Sequence, residues 1–343
     1  MGDSSLVLPA TDDLAAASGR VALAQRLLVA TPSLQPLVGP LVLAACHELP
    51  VFIRGLPGTG RSYLAHVLHL CSSRYDQPFV LLACADLPAS VLERALFGTV
   101  GSEAAREGGL RVAGAGTLVL EDVEALSTDH QARLLRVLET GEFEQAGDTQ
   151  THLGSARIIT ASADLEGAAA CGLFRRDLCY RLAGVTFYLP PLRERPDDIA
   201  PLARAFTLGS AKQFGKNIAA LESDTVAVLQ AYSWPGNVRQ LSSVIQQAVL
   251  AASGSVLLPQ DLPRSIFQRV NQAAAMRCRV RTARRGPATD EHERLLIQSA
   301  LDTCANNRSQ AARTLGISRV TLYKKMRKYF LLSAPPSFGT SNS

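Results

Sequence analysis

The sequence has no run approaching the roughly 18 consecutive apolar residues of a membrane helix, so membrane-spanning helices are excluded. Its seven cysteines, an odd number, include no Cys-x-x-Cys pair and no zinc-finger spacing, and no basic-then-apolar signal segment opens the chain. A reducing cytoplasm is therefore expected, with the thiols serving as small core residues. Aromatics amount to only 6% and charged residues to 19%, against 47% hydrophobic, which excludes a disordered or collagen-like chain. The 343 residues exceed one ordinary core, and two or three domains are expected.

Acidic residues are few toward the C-terminus. Residues 264 to 343 carry 15 Lys/Arg against 4 Asp/Glu, a net of +11, which leaves −6 on residues 1 to 263. A basic tail on a mildly acidic body points to a polyanion, with nucleic acid first.

Residues 1 to 19 are small and polar without a sustained period and read as a flexible leader. From 20 to 187 short β-type runs (VFIR at 51 to 54, PFVLLA at 78 to 83, TLVLED at 117 to 122, ARIITAS at 156 to 162) alternate with helical stretches. That alternation predicts an α/β domain with a parallel sheet. A proline break at Pro190-Pro191 opens a helical region, 188 to 262, that reads as a small lid; 263 to 289 is an arginine-rich linker. A last all-α unit spans 290 to 330, followed by a Ser/Pro/Gly tail over 331 to 343.

The segment Gly55-Leu-Pro-Gly-Thr-Gly60-Arg61-Ser62 lies between strand VFIR and helix SYLAHVLHL. Strand, glycine loop and helix in this order form a phosphate loop, whose backbone N–H groups close around phosphates at a helix N-terminus. Gly55, Gly58, Thr59, Gly60, Arg61 and Ser62 are its candidate nucleotide contacts. The position that holds lysine in such loops holds Arg61, and a planar fork does not replace a compact ammonium. His66 and His69, three apart on the following helix, have no carboxylate or cysteine at ligand spacing and read as packing residues, so no protein metal site is assigned.

With the loop come Leu96-Phe97-Gly98, Arg133-Leu-Leu-Arg-Val-Leu138, Phe174-Arg-Arg-Asp-Leu-Cys-Tyr-Arg-Leu182, Leu189-Pro-Pro-Leu-Arg-Glu-Arg195 and Trp234-Pro-Gly-Asn-Val-Arg239. In this order, over about residues 25 to 262, they resemble the AAA+ domain of NtrC-class bacterial enhancer-binding proteins, the activators of sigma-54 RNA polymerase. The resemblance implies a ring-forming P-loop ATPase with a helical lid that binds ATP or ADP, with Mg²⁺ left open as a companion. It also implies a homo-oligomer, dimer or ring, that works with RNA polymerase.

Carried over residue by residue, the resemblance makes Glu121 and Asp122 the two Walker B carboxylates, in an order opposite to the family's Asp-Glu. It makes Arg175 and Arg181 trans-acting arginines and Arg239 the lid sensor. The family's asparagine partner of the catalytic glutamate is replaced by Ala83, and its polar sensor by Ala163. Four hydrolytic positions thus depart together, which implies weak or absent hydrolysis. Between Gly98 and Gly116 the family carries a Gly-Ala-Phe-Thr-Gly-Ala loop whose aromatic tip contacts sigma-54. Residues 99 to 115 are shorter here, contain no Phe or Tyr, and read as flexible.

Residues 290 to 330 predict three helices. Asn307 with Gln310 suits a capping box, Gly316 a sharp turn, and Ser318 a cap on a helix whose Leu322 and Met326 point inward. Helix, turn and basic helix make a helix-turn-helix that also resembles the family's Fis-type terminal domain. That resemblance implies duplex-DNA contacts at Asn307, Ser318, Arg319, Thr321, Tyr323, Lys324 and Lys325.

The sequence therefore reads as a DNA-binding transcription regulator whose AAA+ body binds nucleotide and self-associates without the usual sigma-54 contact. A hydrolysing sigma-54 activator, alone or in a mixed ring, and a purely architectural DNA binder are the alternatives.

Overall fold

The computed structural model describes residues 11–47, 49–100, 106–148 and 150–267 and, farther on, residues 294, 297–301, 304, 308–315, 317 and 319–329. The chain divides into two compact units, Met1–Phe267 and Gln268–Ser343.

In chain order the first unit begins with helices α1 (Thr11–Leu27) and α2 (Val38–Cys46), strand β1 (Val51–Gly55) and helix α3 (Arg61–Leu70). Then come β2 (Phe79–Ala83), α4 (Ala89–Phe97), β3 (Gly98–Thr99), β4 (Arg106–Glu107), α5 (Gly109–Ala113) and β5 (Thr117–Glu121). Helix α6 (Thr128–Thr140), β6 (Glu142–Glu144), β7 (Thr151–Leu153), β8 (Arg157–Ser162), α7 (Leu165–Ala170), α8 (Arg176–Leu182) and β9 (Val185–Leu189) complete the α/β part.

Five strands form one parallel sheet in the order β2-β5-β8-β1-β9. Successive strand residues point to opposite faces, and the core divides accordingly. Val51, Ile53, Val119, Ile159 and Ala161 pack with residues of α1, α2 and α3, whereas Phe52, Leu118, Leu120 and Ile158 pack with α4, α5, α6 and α8. Both faces being covered, β5 and β8 are buried throughout, as the apolar runs TLVL and IITA require. Helix α6 shows the local rules at work. Ser127 caps its start by accepting from the His130 N–H, and Gly141 ends it in the left-handed region at φ 74°.

Two sequence expectations change. The leader expected through residue 19 is helical from Thr11, because Asp12 and Asp13 favour a helix start and Leu14-Ala15-Ala16-Ala17 has high helix propensity; residues 1–10 lie outside the described part. The segment 99–115, read as flexible, is folded from Arg106 onward. Strands β3 and β4 pair antiparallel, Gly98 with Glu107 and Thr99 with Arg106, and α5 buries Leu110 and Ala113 in the core. Gly108 makes this possible, since a Cβ there would lie 2.3 Å from the Gly98 nitrogen. Residues 101–105 lie outside the described part.

After Leu189 the prolines lead through two short turns, Leu192–Glu194 and Pro196–Asp198, into the lid helices α9 (Ile199–Gln213), α10 (Ser223–Ala231) and α11 (Asn237–Ala251). The helical pattern did not reveal a parallel strand pair here, β10 (Ala220–Leu221) with β11 (Val256–Leu257). Trp234, only 1% exposed, donates its indole N–H to the Leu229 carbonyl at 2.7 Å and meets the Tyr232 ring edge-on at 4.9 Å. The linker expected over 263–289 lies outside the described residues except for residues 263–267, which include a helical turn at 264–267.

In the second unit, a helical stretch over residues 297–301 packs with α12 (Arg308–Thr314) and α13 (Arg319–Lys328) around Ile297, Ala300, Leu301, Ala311, Ala312, Leu322, Met326 and Tyr329. Leu322 and Met326, four apart, form the buried stripe of α13.

Candidate functional site

Gly55 ends β1 and Arg61 opens α3, so the intervening loop lies at the C-terminal edge of the sheet, where a parallel α/β fold places ligands. Gly58 has φ 77°, and a Cβ there would lie 2.6 Å from the Gly236 carbonyl oxygen of the lid; only glycine suits both constraints. Helix α3 starts after Gly60 without a side-chain cap, which leaves its first N–H groups available to an anion.

Arg61 is 4% exposed. Its guanidinium donates to Asp122 Oδ1 at 2.7 Å and to the Gly55 carbonyl at 3.2 Å, and its Nε stands 4.0 Å from Glu121 Oε1. The Ser62 hydroxyl donates to the same Glu121 oxygen at 2.8 Å. Asp122 sits in the left-handed region at φ 52°, which aspartate tolerates better than most residues.

The sheet register explains what surrounds these carboxylates. Ala83, Glu121, Ala161 and Ile53 stand in one row across β2, β5, β8 and β1, so the side chains flanking Glu121 on adjacent strands are methyl groups. Ala163, just beyond β8, contributes its backbone N–H to Glu124 Oε1 at 3.4 Å. Glu124 is a third carboxylate that the motif comparison passed over, although it lies only two residues beyond Asp122. Beside this cluster burial pushes the Cys84 thiol up to about 12, helped by the negative charges of Asp122, Glu124 and Glu121.

A cavity of about 560 Å³ opens over the loop, lined by Gly58, Gly60, Arg61, Ser62, Glu121 and Arg239 of the expected set. Tyr63, His66, Phe79, Phe206 and Val238 also line it. A narrower apolar pocket of about 330 Å³ adjoins it beside Thr59 and Gly60, walled by Leu27, Leu28, Leu34, Leu64, Leu202 and Phe206. An apolar slot next to a helix N-terminus suits a flat ring joined to phosphates. His69 is buried, hydrogen-bonded to the Thr117 hydroxyl at 2.9 Å and packed with His66 on Phe79, which is a packing role. Burial, followed by the neighbouring His66, lowers its pKa.

The lid is fastened to the loop through backbone groups. The Gly58 carbonyl accepts from the N–H groups of Val238 and Arg239 at 2.9 and 3.2 Å, so the first turn of α11 is satisfied by the loop. Arg195, 3% exposed, donates to the Thr59 carbonyl at 2.6 Å and pairs with the fully buried Asp198 at 3.4 Å. Asp198 in turn accepts from the Ser33 N–H at 2.9 Å. Burial lowers the Arg195 pKa from its usual value. Arg195 and Asn237 lie within recognisable motifs, but the sequence assigns neither a role.

Arg175 and Arg181 are exposed and are not among the residues lining the cavity. Arg175 grips Asp177 with two bonds, 2.7 and 3.1 Å, and holds that carboxyl at about 2. Arg181 donates to the Leu138 carbonyl at 3.0 Å.

Mg²⁺ requires a near-octahedral set of oxygens at about 2.0–2.1 Å. Beside the loop Glu121 Oε1 accepts from Ser62 and Asp122 Oδ1 from Arg61, and a guanidinium is a permanent cation with no lone pair to offer. These residues do not fit the ion.

On the second unit, Thr321 and Lys324 are exposed on α13 and Lys325 is half-buried. Arg319 opens α13 and Tyr323 lies one turn further on, whereas Asn307 and Ser318 lie outside the described residues. Among the described residues no helix is long and apolar enough to cross a membrane.

Three family models match in succession: the sigma-54 interaction domain at residues 27–188, the AAA+ ATPase lid domain at 193–277 and the Fis family of bacterial regulatory proteins at 289–329. Regulatory protein AtoC of Escherichia coli K12 is 36% identical over 314 residues, covering 88% of this chain and 67% of AtoC. The E. coli K12 DNA-binding transcriptional regulator NtrC is 35% identical over 305 residues, 82% of this chain and 65% of NtrC. Crystal structures of NtrX from Brucella abortus superpose with TM-scores of 0.63 in complex with ADP and 0.62 with ATP. They are 28% and 30% identical, and each comparison covers 87% of this chain and 68% of NtrX. With a parallel-sheet body, a helical lid and a DNA-binding helix-turn-helix in this order, the chain belongs to the sigma-54-dependent transcriptional regulator family.

Proposed function

We propose that this regulator binds ATP or ADP in the cavity over the phosphate loop, hydrolyses it poorly, and uses the nucleotide-bound body for self-association on DNA without engaging sigma-54. The phosphates lie against the first turn of α3 and Arg239, and the base lies in the adjoining apolar pocket. The observation that carries the reading is Arg61, buried between the two carboxylates that the family uses for metal and water. Glu121 also lacks a polar neighbour in the sheet, where Ala83 and Ala161 flank it. Hydrolysis requires a positioned water and a metal-bridged phosphate, and Arg61 is bonded to one of the two carboxylates that would hold them.

The loss of sigma-54 contact rests on the short segment between Thr99 and Arg106. Those two residues pair, so only six residues lie between them, with no aromatic among them. The tests are a nucleotide titration beside a turnover assay, and output of a directly bound promoter with the sigma-54 gene deleted. Binding without turnover and unchanged regulation support the reading. Loss of regulation that is rescued by supplying the factor returns the protein to its family's usual mechanism.

A second reading, a subunit of a mixed ring, draws on Arg175 and Arg181. Both are exposed and outside their own cavity, as arginines serving a neighbour's nucleotide must be. Turnover that appears only on mixing with a hydrolysing relative distinguishes it.

A further inference from the structure

We infer that the Arg61 guanidinium replaces the divalent cation of this site, so that the protein binds its nucleoside di- or triphosphate without Mg²⁺. The inference rests on the nucleotide reading above and adds the cation to it. Three features fix the guanidinium where it is. Its Nη2 is bonded to Asp122 at 2.7 Å, its Nη1 to the Gly55 carbonyl at 3.2 Å, and burial leaves it 4% exposed.

An ion entering beside the phosphates needs oxygens from Ser62, Glu121 and Asp122. It must displace Arg61 from Asp122 or crowd in beside a permanent positive charge that is itself buried. Phosphate oxygens, by contrast, lose nothing to Arg61. A planar fork carries five donors, two of them used on Asp122 and Gly55, and Arg61 lines the same cavity as Gly60, Ser62 and Arg239. The α3 N-terminus adds its uncapped N–H groups. Arg61, Arg239 and the helix end therefore provide the counter-charge that lysine plus metal provide where the loop is of the ordinary kind.

The experiment is a calorimetric titration of the full chain with ATP and with ADP, once in excess MgCl₂ and once in EDTA. The expected result is binding in EDTA at least as tight as in excess MgCl₂, where the ion competes with the site for the phosphates. Binding that weakens about tenfold or more in EDTA overturns the inference while leaving the nucleotide reading intact. Absence of binding under both conditions overturns the nucleotide reading, and the inference falls with it. Titration with Mn²⁺ gives an independent readout. The inference expects the spin-resonance signal of aqueous Mn²⁺ in a mixture with ADP to rise on adding the protein, because ADP is withdrawn from the ion, and a loss of that signal to a protein-held ion contradicts it. The Arg61→Lys variant, whose shorter side chain releases Asp122 and Glu121, should acquire metal dependence of about tenfold. If that variant does not fold, the EDTA comparison on the natural protein decides.

Discussion

Asn237 bridges the phosphate loop and the entrance to the lid: its side-chain oxygen accepts from the Leu192 N–H at 2.9 Å, and its side-chain nitrogen donates to the Pro57 carbonyl at 3.0 Å. The residue is 2% exposed and adopts φ 50°, a conformation that asparagine tolerates and alanine does not. Asn237→Ala should therefore destabilise the first unit by about 2–4 kcal/mol, from two lost buried bonds and the added strain. Urea unfolding followed by circular dichroism measures this; a change below about 0.5 kcal/mol, the range of ordinary surface substitutions, contradicts it.

Steady-state ATP turnover should stay well below about 1 s⁻¹, the low end of ordinary enzyme rates. Arg61→Lys should recover little of it, because Ala83, Ala163 and the exchanged lengths of Glu121 and Asp122 remain, and misplacing a reacting group by about an ångström costs on the order of 10²-fold. Recovery of full turnover by that one change would falsify the argument from the other three positions.

Thiol reactivity should follow burial. Cys71 and Cys84 are buried, with pKa values pushed up to about 11 and about 12, whereas Cys46 and Cys171 are exposed. Near pH 8 a thiol reagent followed by peptide mass spectrometry should label Cys46 and Cys171 first and Cys84 only on unfolding. The sign for stability follows from the raised values. The neutral thiol is the form the fold accommodates, so the contribution of Cys84 is complete below its unfolded pKa near 9 and is lost as pH rises from 9 toward 12. Equal labelling rates for Cys84 and Cys46 contradict this.

DNA binding should weaken steeply with salt, since α13 presents Lys324 and Lys325 and the preceding segment is rich in arginine. Arg319→Ala should cost about 1–3 kcal/mol on a specific site if the residue reads a base. The same loss on random duplex, measured by fluorescence anisotropy, assigns Arg319 to phosphate alone.

The alternation of short apolar runs with helices was enough to read the parallel sheet, because strands covered on both faces must be apolar along their whole length. Gly55 through Ser62 were legible for a similar reason, since few sequences place three glycines between a strand and a helix. The partners of Arg61 were not. Whether a guanidinium turns outward to a ligand or inward to carboxylates 60 residues away depends on β1, β8 and β5 being neighbours, which no local pattern states. The roles of Arg195 and Asn237 were hidden likewise, because each acts on a loop carbonyl that is near only after the lid has docked. Residues 106–115 looked flexible from their Gly and Ala content; what orders them is the fit of Gly108 against Gly98, a contact of backbones that composition does not reveal.

The chain contains a single tryptophan, and Trp234 stands two residues before the Gly236 carbonyl that meets Gly58. The fold has thus placed its one strong fluorophore, shielded from solvent, at the junction where lid and phosphate loop touch. The protein carries its own optical gauge of that junction. Emission should be blue-shifted and resistant to iodide in the docked state, and any ligand that loosens the lid should be visible, without a label, as a red shift and faster quenching.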